Sequence, residues 1–545
     1  MTTLPDMPFT TEDFSLRGGG IDFLGLRLVN LRIVGEDLIP ELNNVTTDMG
    51  TFFLGGWIPW KFKQLCAGGK EKDYTAENYK AFREKVEVAI SQTLQDEMKF
   101  DRSCGLVRNR IGITQRCKLP GELDFKSANR KSQNSLFAAA IYGPALTALG
   151  LVKTYHSLDR TGTKRLKITV PGDDTEADEI MKGVDRSLKQ ASAYPLLASL
   201  DSSEFTAKDI CKLAEAGLDP ARYRAADYRD LKSRFRHNLL PHDPEDPGYA
   251  RTLTTRLLLE TLRQEPLLTT EQIRDVWYTG IFPAGNPLRL NAPEMVDHVQ
   301  RWACFMARQY QRYAIELFLW CFEEAIGNGN RSIADVIDYW SKRTKTAGKK
   351  LPVTFAELAK ELAGSFYESD EVATSRAWNK KIRPDNDRFE YVAEPKNDLA
   401  AIHVLRMFAG WYWRMLSRQE DAKTKPFMAL GGSDRMSMDW FLKWLTTRKN
   451  LPLPDLLKDI FSDLIFSQHM RIALARFDGT AQRLRFLIGD GGIEPSVSAK
   501  ADMGNLYLPW MPDRLNTLAS LLCDCDVLIE KEGEYRLGSC AKEIQ

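Results

Sequence analysis

Apolar positions fall in helix-length runs along most of the chain, and the densest run lies between Leu24 and Phe62. Ile21 to Val34 alternates loosely between apolar and polar residues around a break at Gly25, a pattern that fits either a strand or an amphipathic helix. Pro40 and Asn43-Asn44 mark a turn, after which Thr51 to Phe62 predicts a helix with Phe52, Phe53, Trp57 and Trp60 as core material. Ala76 to Leu94 is an amphipathic helix carrying Tyr79, Phe82, Val86 and Ile90 on one side.

Further along, Ser135 to Leu149 predicts a helix that Gly150 is placed to end, followed by two strands, Leu151 to Tyr155 and Arg165 to Val170, around a polar turn containing Asp159 and Gly162. Asp513 to Leu522 repeats the theme, with short strands Val527 to Glu530 and Tyr535 to Leu537 around Lys531 to Glu534. A helix followed by a hairpin is the arrangement of a winged helix, so such modules are expected near 132–170 and 513–538. Between them, Thr252 to Arg263, a turn at Pro266 and a capped start at Thr269 to Arg274 read as a helical pair. Pro293 to Ile326 is the longest helical pattern, apolar on more than one face and therefore interior. Residues 341–352 and 366–398 are polar connections, and helices resume at Leu399 to Leu416, Met438 to Thr446 and Leu453 to Phe477.

Many helices, short hairpins and no alternation of strands with helices predict a mainly α, multidomain protein. The expected divisions are an N-terminal helical domain at 1–130, a winged-helix-like module and linker at 131–250, and a helical domain at 251–340. A polar connection at 341–398 and a C-terminal helical domain at 399–545, ending in the second hairpin, complete the chain.

Composition narrows the class. At 545 residues the chain exceeds a single core, and 43% hydrophobic with 27% charged residues is ordinary for a globular protein. Net charge is +1, from 75 basic and 74 acidic residues, so contact with nucleic acid requires a local patch. The first hairpin supplies one: Lys153, Arg160, Lys164, Arg165 and Lys167, with Arg108, Arg110, Arg116, Arg130 and Lys131 before it, are the residues expected to face the phosphates of double-stranded DNA. The second hairpin is acidic, with Asp524, Asp526, Glu530, Glu532 and Glu534, and suits a protein partner. Nine cysteines, an odd number, read as free thiols in a reducing compartment. The N-terminus lacks the basic flank and apolar core of an export signal, and no run reaches about 18 apolar residues, so a cytoplasmic chain without membrane contact is expected.

Candidate chemistry is sparse. Pro384-Asp385 and Glu394-Pro395-Lys396 have the residue types of a PD-(D/E)xK nuclease, with Asp385 and Glu394 as ligands of a divalent cation and Lys396 beside the attacking water. That nuclease core needs apolar strands, and Arg383 to Asn397 is nearly all polar. His237, His242, Asp243 and Asp246 share a proline-rich loop without a metal-ligand spacing, and Cys523, Cys525 and Cys540 lack the paired C-x-x-C of a zinc ribbon. No metal, cofactor or catalytic residue is assigned.

Two stretches carry a family likeness. Leu38 to Trp60 (LIPELNNVTTDMGTFFLGGWIPW) resembles an N-terminal signature of large uncharacterised bacterial proteins encoded in anti-phage defence islands beside helicases and nucleases. Gln468 to Arg476, with Arg483 to Phe486 and Gly491 to Ile493, is similar to a late segment of the same proteins. Glu41 stands where that signature commonly has glycine, and Met49-Gly50 replaces an arginine-containing pair. The resemblance implies a bacterial accessory subunit whose protein partners are encoded nearby, and it transfers no catalytic residue. The expected function is a non-enzymatic component that binds DNA, partner subunits or both; a metal-dependent nuclease and a purely protein-binding scaffold are the alternatives.

Overall fold

A computed structural model describes residues 22–43, 48–67, 75–93, 143–158, 165–172, 175–200, 205, 207–346, 353–362, 372, 382–383, 390–391, 400–419, 421, 423–475, 484–496 and 513–544. The protein is mainly α, with short antiparallel hairpins. It packs as two compact units, each drawn from separated stretches: a first unit of Met1–Leu31 with Cys304–Met511, and a second of Arg32–Ala303 with Pro512–Gln545.

The first unit is built on the later part of helix Pro293–Gly327, whose start belongs to the second unit. Phe318 packs against Phe408 and Phe461 with ring centroids 5.2 and 5.7 Å apart, and Trp411 donates its indole N–H to the carbonyl of Ala307 at 2.8 Å. The same helix buries Arg308, Gln309, Gln311, Arg312, Glu316 and Glu323. Buried charge is tolerated only when paired, and here Glu316 takes Arg312 at 2.7 Å and Arg27 at 3.1 Å. Arg308 donates to the carbonyls of Arg435 and Met436, and burial among other cations lowers its pKa to about 9. Helix Leu453–Asp459 continues through a wide π turn, Ile460–Ser467, into Gln468–Ala475.

In the second unit the aromatic stretch is a helix, Met49–Ala67, buried on nearly every side. Trp57 and Trp60 donate to Asp185 at 3.2 Å and Asp178 at 2.7 Å on helix Thr175–Leu188, and Phe53 meets Tyr223 edge-on at 5.1 Å. Gly50 is required by this packing, since a Cβ there would lie 2.1 Å from the carbonyl oxygen of Pro220. The ambiguous stretch before it is helical: Arg27–Ile33 runs into a π turn, Val34–Leu38, after Gly25 reverses the chain at φ +71°.

The first hairpin pairs Val152–Leu158 with Arg165–Pro171 in register from Val152↔Pro171 to Leu158↔Arg165. Gly150, at φ +69°, ends helix Gly143–Ala148 as its position in the sequence requires; residues 135–142 of the expected helix lie outside the described ones. The second hairpin, Leu528–Lys531 with Glu534–Leu537, follows helix Leu515–Asp524 and gains a third strand, Leu268–Thr269, against Glu534–Leu537. That third strand leads into helix Thr270–Thr279 through a capping box of Thr269 and Gln272. Helix Ile333–Thr346 extends into the region expected to be a polar connection.

Candidate functional site

The first hairpin owes its form to β-branched residues on both strands, with Tyr155 on the first, and to a tight root. The amide of Gly172 donates to Leu151 at 3.1 Å, and a Cβ at 172 would lie 1.8 Å from the carbonyl oxygen of Gly150. Val152 and Pro171 are buried at that root, which rests on helix Met49–Ala67. Of the predicted DNA-facing residues, Lys153 is half-buried near the root and partners Val170, while Lys167 partners His156 and Arg165 partners Leu158 in the backbone register. Arg160 and Lys164 lie in the turn outside the described residues, as do Arg108, Arg110, Arg116, Arg130 and Lys131.

The second hairpin spends part of its charge internally. Asp524 is buried, where Arg224 Nε meets Oδ1 at 2.7 Å and the amide of Met49 donates to Oδ2 at 2.9 Å. The same guanidinium reaches Asp48 at 2.7 Å, and Asp526 pairs with buried Lys232 at 3.0 Å. Of the other acids in this hairpin, Glu530 and Glu532 are exposed and Glu534 is half-buried. Helix Leu515–Asp524 exposes only Asn516 among its ten residues, and that side chain already accepts from Thr270 at 2.6 Å and Arg274 at 3.0 Å. A helix so covered has no face to lay in a DNA groove.

The stretch Leu38 to Trp60 begins as a wiring point. Three consecutive carbonyls accept from side chains of other elements: Leu38 from Thr254 at 2.8 Å, Ile39 from Arg514 at 2.8 Å, and Pro40 from Arg251 at 3.1 Å. Arg251 also binds Glu41 at 2.6 Å, holding that residue at φ +66°. A side chain at positive φ is strained where glycine is not, and the ion pair offsets that strain. The Thr254 hydroxyl, having donated to Leu38, must accept from both Trp302 Nε1 at 3.2 Å and His298 Nε2 at 2.7 Å. His298 therefore carries its proton on Nε2, and burial lowers its pKa to about 3, so it is neutral. Burial raises Asp37 to about 6 against the lowering effect of Arg301.

The stretch from Gln468 is similarly occupied. The Arg485 amide donates to His469 Nε2 at 2.9 Å, which leaves Nδ1–H to donate to Phe23 at 3.2 Å, and burial lowers this imidazole to about 4. Arg485 forms a two-pronged buried pair with Glu323, at 2.7 and 2.6 Å. His469 uses both ring nitrogens and His298 its Nε2 in structural hydrogen bonds, and both, kept neutral by burial, are not poised as bases near pH 7.

Asp385, Glu394 and Lys396 lie outside the described residues. His237 and His242 approach with ring centroids 5.6 Å apart, and among the described residues no group of three His, Cys, Asp or Glu side chains could hold a metal ion. The described cysteines are free thiols, and no described helix is long and apolar enough to cross a membrane. The buried pair Asp48 and Asp524, joined by a partly exposed Arg224, escaped sequence reasoning; its one local signal is an aspartate before the first turn of a helix. No protein-family model, curated protein or solved structure matches the chain.

Proposed function

We propose that the chain is a non-enzymatic subunit of a bacterial anti-phage defence or other DNA-transaction assembly, gripping double-stranded DNA through the hairpin at 152–171. The observation that carries this reading is the two-stranded ribbon itself. It is seven pairs long, is seated at its root on a buried helix, and has five basic residues against the single acid Asp159. A two-stranded ribbon fits the major groove, and lysines and arginines along it would displace counterions from phosphates. The second hairpin supports a winged-helix-like module of a different kind. Helix Tyr249–Gln264, strand Leu268–Thr269, helix Thr270–Thr279, helix Leu515–Asp524 and the two last strands follow in winged-helix order, with the final strand central in the sheet. Its covered helix and acidic tip favour a protein partner over DNA.

A gel shift on duplex DNA across a salt series, with and without Mg²⁺, tests the reading. Salt-sensitive retention that is lost in the Lys164→Glu/Arg165→Glu/Lys167→Glu protein is expected. Equal retention by that variant would refute the assignment, and Mg²⁺-dependent cutting would favour the nuclease at Asp385, Glu394 and Lys396 instead.

A further inference from the structure

Two acids from opposite ends of the chain meet over one cation in the second unit. Asp48 precedes helix Met49–Ala67, and its Oδ1 accepts from the Thr51 amide at 3.3 Å. Asp524 ends helix Leu515–Asp524 and takes the Met49 amide, so two amides of one helix's first turn, those of Met49 and Thr51, are held by carboxylates 476 positions apart, counted from 48 to 524. Arg224 lies between them, with Nη2 on Asp48 and Nε on Asp524, both at 2.7 Å. The two carboxylates are 5% and 4% exposed, so their charges are poorly screened by water.

Charge balance then decides the behaviour. With both carboxylates ionised the cluster carries one uncompensated negative charge, and its surroundings do not cancel it. Asp219 adds to the repulsion on Asp48. Lys232 is committed to Asp526, Arg236 is committed to Glu543, and Glu530 with the thiols of Cys523 and Cys525 completes the titratable neighbourhood. One proton removes the excess while leaving a carboxylate for Arg224 and acceptors for the Met49 and Thr51 amides.

We infer that Asp48, Arg224 and Asp524 form a one-proton latch that fastens the C-terminal segment Asp513 to Ile544 onto the start of helix Met49–Ala67, tight when protonated and loosened when both acids ionise. Burial and the neighbouring Asp48 raise Asp524 from the ordinary 3.8 to about 7, and burial raises Asp48 as well. A carboxyl group raised in the folded state contributes stability that is fully present below its unfolded value and is lost as pH climbs through its folded value. The latch should therefore weaken between about pH 4 and 7 and level off above that, by about tenfold per pH unit for a single proton. His298 and His469, lowered by burial, shift stability in the opposite direction below about 6.5, so the latch is read as a difference between proteins.

Hydrogen exchange of the full chain between pH 5 and 8, corrected for intrinsic amide rates, tests this on segments 49–51 and 515–524. In the wild type, protection should fall by about 100-fold from pH 5 to 7, the product of two tenfold steps. Asp524→Asn should flatten that fall while residues 453–475 of the first unit keep the wild-type profile. Asp48→Asn gives the same reading should Asp524→Asn fail to fold. Wild-type protection that is flat or rising over this range, or an unchanged fall in both variants, would overturn the latch.

Discussion

The hairpins at 152–171 and 528–537 follow one local plan, a helix ended by a sharp turn and then two antiparallel strands, yet they are held in different ways. The first is a ribbon of seven pairs with no third strand among the described residues, fixed at its root by Gly150, Gly172 and helix Met49–Ala67. The second has four pairs, is knitted to Leu268–Thr269, and is tied down by Arg224, Lys232 and Arg236 acting on Asp524, Asp526 and Glu543. The difference teaches that charge written along a hairpin is not by itself charge available to a partner. Asp524 is a buried counterion of Arg224 in the fold, and Asp526, half exposed, is taken up by buried Lys232.

The largest effect that would sharpen this contrast is expected from Arg224→Ala. It strips the shared cation from two buried acids and should cost about 3 kcal/mol of unfolding free energy at pH 8, toward the low end for a broken buried pair because the guanidinium is partly solvated. The loss should shrink at pH 5.5, where a proton replaces the cation; urea unfolding at both pH values measures it. Next comes the first hairpin. Reversing Lys164, Arg165 and Lys167 to Glu should cut duplex affinity by about 100-fold and lower the slope of log affinity against log salt by about 3, with stability unchanged within about 0.5 kcal/mol. Glu530→Lys with Glu532→Lys on the second hairpin should leave affinity within about twofold; a comparable gain or loss there would erase the distinction.

Smaller effects probe the roots and turns. Gly172→Ala drives a methyl group into the carbonyl of Gly150 and should destabilise by about 1–3 kcal/mol, with the damage confined to the first ribbon in hydrogen exchange. Glu532 and Gly533 form the second turn at φ +57° and +86°, a pair of left-handed positions that suits Asn-Gly. Glu532→Asn should therefore raise stability by about 0.5 kcal/mol in thermal unfolding.

Much of the helical layout was legible. The aromatic stretch, the long helix from Pro293, the capping box at Thr269 and the stop at Gly150 all rest on spacing of apolar residues or on backbone chemistry that acts within a few positions. The stretches from Leu38 and from Gln468 were visible as unusual, but their work was not. Leu38 to Pro40 presents three carbonyls to Thr254, Arg514 and Arg251, and His469 is locked between Phe23 and Arg485. No local pattern announces an acceptor whose donor lies hundreds of residues away.

What the sequence determined alone was therefore the mainly α class, the positions of most helices and both hairpins, because period, caps and glycine turns are settled by neighbours along the chain. Only the tertiary structure decided that Leu268–Thr269 completes a sheet with Glu534–Leu537, that Asp48 and Asp524 share Arg224, and that Asn516 is the single exposed residue of its helix. Those outcomes depend on burial and through-space charge, which exist only once segments from the two ends of the chain have packed together.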